Sequence, residues 1–74
     1  MSAQEQLQLL LRRVRSEARL TQTEVAERVG QPQSFVSKYE SGERRLDVLE
    51  LRSVCSAIGV SLADFIRRLE EALR

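Results

Sequence analysis

Residues 20–42 read Leu20-Thr-Gln-Thr-Glu-Val-Ala-Glu-Arg-Val-Gly-Gln-Pro-Gln-Ser-Phe-Val-Ser-Lys-Tyr-Glu-Ser-Gly42, and their punctuation predicts two short helices joined almost without a loop. Thr21 stands three residues before Glu24. That spacing lets the hydroxyl accept a free amide of the first helical turn while the carboxylate answers back. Gly30 closes the first helix at about 22–29 and Gly42 the second at about 32–41, because the residue just past a helix often needs a positive φ. Pro32 suits a first helical turn, where its missing N–H is no loss. Val25, Ala26 and Val29 turn inward from one helix, Val36 and Tyr39 from the other. Ala26 is small where the two must cross closely.

The same signals recur outside this stretch. Asp47 precedes Glu50 by three residues, Ser61 precedes Asp64 by three, and Gly59 follows Ser-Ala-Ile. They predict helices at about 3–19, 48–58 and 62–73, with periodic apolar faces. Leu7, Leu10, Leu11, Val14 and Ala18 line the first of these. Val48, Leu51, Val54, Cys55 and Ile58 line the next, and Leu62, Phe65, Ile66, Leu69 and Leu73 the last. The expectation is an all-α chain of five helices forming one compact domain over residues 1–74, with short connections and no strand.

Composition bounds the function. Hydrophobic residues make up 42% and charged residues 31% of the chain, which is globular rather than low-complexity. No apolar run is long enough to span a membrane, and no leader pattern is evident, so a soluble cytoplasmic protein is expected. One cysteine cannot form an internal disulfide, which suits a reducing compartment. With one cysteine and no histidine, a usual zinc site within one chain is excluded, and no cofactor or metal is expected. No phosphate loop, nucleophile motif or placed carboxylate pair is present, so an enzyme is not expected. Net charge is only +1, with a mild basic bias in residues 1–45.

The outward face of the second short helix carries more information. With Val36 set inward, Gln33, Ser37, Ser41, Ser34 and Lys38 fall at roughly 60° to 200° around the helix. That face holds amide, hydroxyl and ammonium groups and no carboxylate. Glutamine can bond adenine with a donor and an acceptor together, serine can play either part, and lysine suits guanine or a phosphate. Serine and glutamine are unusual choices for a surface helix with no other duty, where Glu, Lys and Ala prevail.

Residues 20–42, continued by Ala57-Ile-Gly-Val-Ser-Leu62, resemble the lambda-repressor/Cro-like (XRE-type) helix-turn-helix regulators over roughly residues 7–66. The resemblance rests on Thr-Gln opening one helix, Ala-x-x-x-Gly at the turn and Ser-Lys-Tyr-Glu-x-Gly ending the next, all in register. It implies a helix-turn-helix unit at about 21–42 that binds double-stranded DNA through the major groove. It also implies roles. Gln22 matches a residue that holds a phosphate and braces Gln33. Gln33, Ser34, Ser37 and Lys38 match positions that reach base edges, with Ser41 on the same face. Arg44 and Arg45 match a loop that grips the backbone. Gln31 stands at a turn position that is usually apolar, which implies a looser turn. Phe35 stands where the family is often polar and is expected to pack beside Tyr39 or touch a thymine methyl. Glu40 matches a position paired with an arginine of the first helix, here Arg15, which implies an inward salt bridge.

Two further expectations complete the reading. The stripe of the last helix runs on through Phe65, Ile66, Leu69 and Leu73, which predicts a homodimer joined by helices four and five and reading a near-palindromic operator as a repressor, nucleoid-associated when bound. Cover of that stripe by the first helix of the same chain is the competing arrangement. The alternative function is an antitoxin or adaptor of the same fold whose main partner is a protein such as a toxin.

Overall fold

The computed structural model describes residues 1–74 as five α-helices: α1 (Ala3–Glu17), α2 (Gln22–Val29), α3 (Gln33–Ser41), α4 (Val48–Ile58) and α5 (Leu62–Ala72). Reciprocal capping starts three of them. Thr21 accepts the Glu24 amide at 3.1 Å while Glu24 accepts the Thr21 amide at 2.9 Å, and Asp47 with Glu50 does the same for α4. A third such box, Ser2 with Glu5, opens α1. Its Ser-x-x-Glu spacing is the same local signal as at the other two starts. The Ser61–Asp64 pair forms only half a box, because Asp64 turns to Arg67 instead.

Three boundaries differ from those expected. Helix α1 ends at Glu17 because Arg19 takes a left-handed φ of 59°, which turns the chain sharply toward α2. Ala18 becomes an exposed cap rather than a core residue. Pro32 is the N-cap of α3, extended at ψ 156°, rather than its first helical residue. Leu73 caps α5 and is 42% exposed. Gly42 ends the second short helix at φ 89°, and the Gln8 amide lies so near that a Cβ would stand 2.5 Å from its Nε2. Glycine is favoured there by its φ, whereas the space could be cleared by a shift of the flexible Gln8 side chain.

The core takes residues from every helix: Leu10, Leu11 and Val14; Val25 and Ala26; Val36 and Tyr39; Leu51, Val54, Cys55 and Ile58; and Phe65. Helix α2 packs on α3 and α4, α1 on α3 and α5, and α4 on α5. Val48 does not join its expected stripe. It is the first residue of α4 and is 63% exposed, with Leu49 beside it 72% exposed. No helix is long and apolar enough to cross a membrane.

One charged residue lies inside this body. Glu40 is 2% exposed, and both its oxygens are held by the Arg15 guanidinium, Nε to Oε2 at 2.6 Å and Nη2 to Oε1 at 2.9 Å. The remaining Arg15 nitrogen, Nη1, donates to the Leu20 carbonyl at 3.0 Å. One side chain of α1 thus fastens α3 and the turn into α2. The hydrogen bonds to Glu40 hold the Arg15 pKa above its ordinary value. The neighbouring Tyr39 is buried too, and its hydroxyl has no hydrogen-bond partner within the chain. Burial pushes its pKa up.

Two stability measurements follow. Removing either Arg15 or Glu40 alone is expected to cost about 3–5 kcal/mol, since the other charge is stranded. A double-mutant cycle in urea should give coupling well above the ~1 kcal/mol of an exposed pair. Coupling below that rejects the lock. Tyr39→Phe, which removes a buried hydroxyl without a partner, is expected to leave stability unchanged or raise it by about 1 kcal/mol. A loss of 2 kcal/mol or more, roughly a good buried hydrogen bond, would show that the hydroxyl is satisfied in solution.

Candidate nucleic-acid interface

Helix α3 is pinned along its inner side by Val36, Tyr39 and Glu40, each buried. What it turns outward follows from the 3.6-residue period. Gln33, Ser34, Lys38 and Ser41 are exposed and Ser37 is half-buried. Of these, Ser34, Ser37 and Lys38 make no side-chain hydrogen bond or ion pair within the chain. Ser41 differs: its hydroxyl donates to the Lys38 carbonyl at 3.1 Å and accepts the Glu43 amide at 3.4 Å. It closes the end of the helix as much as it faces outward.

The two glutamines that open α2 and α3 meet across the turn. Gln33 Nε2 donates to Gln22 Oε1 at 2.6 Å, and Gln22 Nε2 donates to Glu40 Oε1 at 3.1 Å. A continuous polar chain therefore runs from Arg15 through Glu40 and Gln22 to Gln33. Its inner end is buried and its outer end is in solvent. The turn between the helices is closed in spite of the polar residue at position 31, since the Gln31 amide donates to the Ala26 carbonyl at 2.9 Å. Gly30 supplies the left-handed residue, at φ 71°.

The basic residues that follow α3 are not equivalent. Arg44 forms a two-bond pair with Glu50, at 2.7 and 3.2 Å, and lies over the Phe35 ring at 4.8 Å from its centroid. The hydrogen bonds to Glu50 raise the Arg44 pKa, and those from Arg44 together with the capping bond from Asp47 lower that of Glu50. Arg45 is exposed and its side chain has no partner. Phe35 packs edge-on against Tyr39, 5.5 Å between centroids. That packing, with Arg44 above it, accounts for an aromatic residue at a position where the resemblance implied a polar one. A further cation comes close: Arg12, 57% exposed, has its Nε 3.9 Å from Glu40 Oε1. Its signal was the three-residue spacing from Arg15, which puts both on one face of α1.

The residues expected to join two subunits are divided by the structure. Phe65 is fully buried within its own chain, at 0% exposure, so it offers no surface to a partner. Leu69 is half-buried against the same core. Ile66 and Leu73 remain exposed, at 38% and 42%. Arg68 of α5 ties to Glu17 of α1 through two hydrogen bonds of 2.9 Å. Helix α1 therefore covers one edge of α5 and leaves the edge bearing Ile66 free.

The arrangement can be set beside known proteins. A family model described as helix-turn-helix matches residues 11–65. An XRE-family-like protein from Pseudomonas syringae pv. tomato str. DC3000 is 44% identical, with a TM-score of 0.90, over 97% of this chain and 88% of its own. The clp gene regulator ClgR from Corynebacterium glutamicum is similar at 28% identity and a TM-score of 0.85, over 100% of this chain and 96% of its own. The restriction-modification controller protein C.Esp1396I, solved as a tetramer with its natural 35 base-pair operator, has the same fold. It shows 21% identity and a TM-score of 0.87, over 100% of this chain and 99% of its own. No curated protein matches. The helix pair α2–α3, the match over most of the chain and the 44% identity together establish that the chain belongs to the XRE-type helix-turn-helix family of regulators.

Proposed function

We propose that this regulator is a repressor that reads a near-palindromic operator as a homodimer, laying α3 of each subunit in the major groove. The observation that carries this reading is the outward face of α3. It is free of carboxylates, led by a glutamine tethered through Gln22, and flanked by cations with no ion-pair partner at Lys38 and Arg45. Gln33, Ser34, Ser37 and Lys38 take the base edges, with Ser41 marginal because its hydroxyl already serves its own helix. Gln22, Arg45 and Arg12 take phosphates. Arg44, held by Glu50 and Phe35, shapes the loop and contributes less charge to the backbone. The acylation, hydrolysis and metal chemistries of enzymes have no part in this reading, and a DNA-bound regulator of this kind works in the cytoplasm.

The dimer rests on apolar surface. Ile66 on α5, Leu73 at its C-cap, and Val48 and Leu49 at the start of α4 are exposed. A two-fold contact between α4 and α5 of two copies would bury such groups from both sides. The two α3 helices then enter successive major grooves about 34–36 Å apart.

Selecting duplexes from a randomised pool and titrating their binding with salt tests the DNA reading. The logarithm of affinity is expected to fall steeply and linearly with the logarithm of salt concentration, as phosphate contacts require. A flat response favours the antitoxin or adaptor reading, in which the main partner is a protein. Gln33→Ala and Lys38→Ala are each expected to cost about 1–3 kcal/mol and relax base preference at one position. Arg45→Ala is expected to weaken all sequences alike and make the salt slope shallower by about one, with a smaller change for Arg44→Ala. Equal slopes for the parent and Arg45→Ala reject the assigned grip.

Sedimentation tests the dimer. The parent is expected to dimerise at tens of micromolar and Ile66→Glu to remain monomeric with its helix content intact. A monomeric parent, or one that binds a half-site as tightly as the palindrome, overturns it.

A further inference from the structure

The polar chain that ends at Gln33 has a direction, and its buried end sets it. The Glu40 carboxylate, held on both oxygens by Arg15, accepts hydrogen bonds and cannot donate them. The Gln22 atom that lies 3.1 Å from Glu40 Oε1 must then be the amide nitrogen. The Gln22 oxygen is consequently turned the other way, toward Gln33, and demands a donor. The Gln33 nitrogen meets it at 2.6 Å. One N–H of Gln33 is spent in this way, which leaves its second N–H and its oxygen for anything that approaches α3.

That outward pair is one donor and one acceptor. In the major groove it complements adenine, which offers the N7 acceptor and the N6 amino donor side by side. A relay of the opposite polarity would have Gln22 donating to the Gln33 oxygen, leaving both Gln33 N–H groups outward. Two donors complement guanine, whose N7 and O6 both accept. We infer that Glu40 is a specificity-determining positioning residue: through Gln22 it fixes the polarity of the Gln33 amide and so selects adenine over guanine at the base Gln33 reads. This rests on the reading of Gln33 as a base contact. A merely structural Glu40 would lower stability and affinity for every sequence together, leaving the ratio between two bases untouched.

Glu40→Gln keeps the shape of the side chain and replaces one acceptor with a donor, so Gln22 is free to invert. Gln22→Ala leaves the Arg15–Glu40 pair in place and cuts the relay in the middle. It carries the test if Glu40→Gln fails to fold, as judged by circular dichroism. The probes are duplexes recovered by the parent protein, each paired with a version changed from adenine to guanine where Gln33→Ala loses its preference. The parent is expected to favour adenine about ten- to a hundred-fold, the range of a good bidentate contact. In each relay variant that ratio is expected to fall at least about ten-fold or reverse. A folded relay variant that keeps the parent's ratio overturns the inference while Gln33 stays a base contact. A parent that selects guanine there overturns it as well. If Gln33→Ala keeps every preference of the parent, the base contact itself is wrong and the inference falls with it.

Discussion

A buried carboxylate has to be satisfied, and in this chain the need of Glu40 for donors organises the domain. Burying an ion without partners costs several kcal/mol. Glu40 finds them on two other helices, Arg15 on α1 and Gln22 on α2. Arg15 then uses its last nitrogen on the turn at Leu20. Three segments distant in sequence are thereby held in one relation. An ion pair of this kind adds little net stability over a well-packed apolar replacement. Its contribution here is directional: the apolar contacts around Val36 and Tyr39 keep α3 against the body, and hydrogen bonds of defined angle and polarity fix its rotation.

The outward side of α3 is consequently not one uniform polar surface. Gln33 is constrained from behind, whereas Ser34 and Lys38 answer only to solvent. The adjacent arginines divide in the same way. Arg44 is stacked on Phe35 and paired with Glu50, and Glu50 in turn caps α4 with Asp47. The loop after α3 is thus tied at one residue to the start of the next helix, while its neighbour Arg45 extends freely. A stiff loop bearing one mobile cation differs from a loop bearing two.

Much of this could be read from the sequence, because the signals are local. A cap three residues ahead of a carboxylate and a glycine at the far end mark α2 and α4, and Pro32 with Gly42 brackets α3, without reference to anything else. Failures came where the deciding contact was remote or the position terminal. Arg19 looks like any polar helical residue, yet it leaves the helix at a positive φ. Val48 fits the apolar period of α4 but lies at its first position, beyond the reach of the neighbouring helices. Phe65 and Ile66 belong to one stripe in sequence, and only the packing of α1 and α4 on α5 separates the buried first from the exposed second. Arg44 and Arg45 are indistinguishable until Glu50 is brought to one of them. The Arg15–Glu40 pairing was implied by resemblance, whereas the Glu40–Gln22 link required the fold itself.

Cys55 offers a different kind of consequence. Its thiol is 1% exposed in the middle of the core, and burial pushes its pKa up to about 11, so the native protein holds almost no thiolate within reach of a reagent. A disulfide reagent added at neutral pH then reacts only with molecules whose core has opened, and the labelling rate becomes a clock for that opening. Because any ligand of the native state lowers the open population in proportion to its occupancy, the same clock would register binding without a dye, a tag or an added tryptophan.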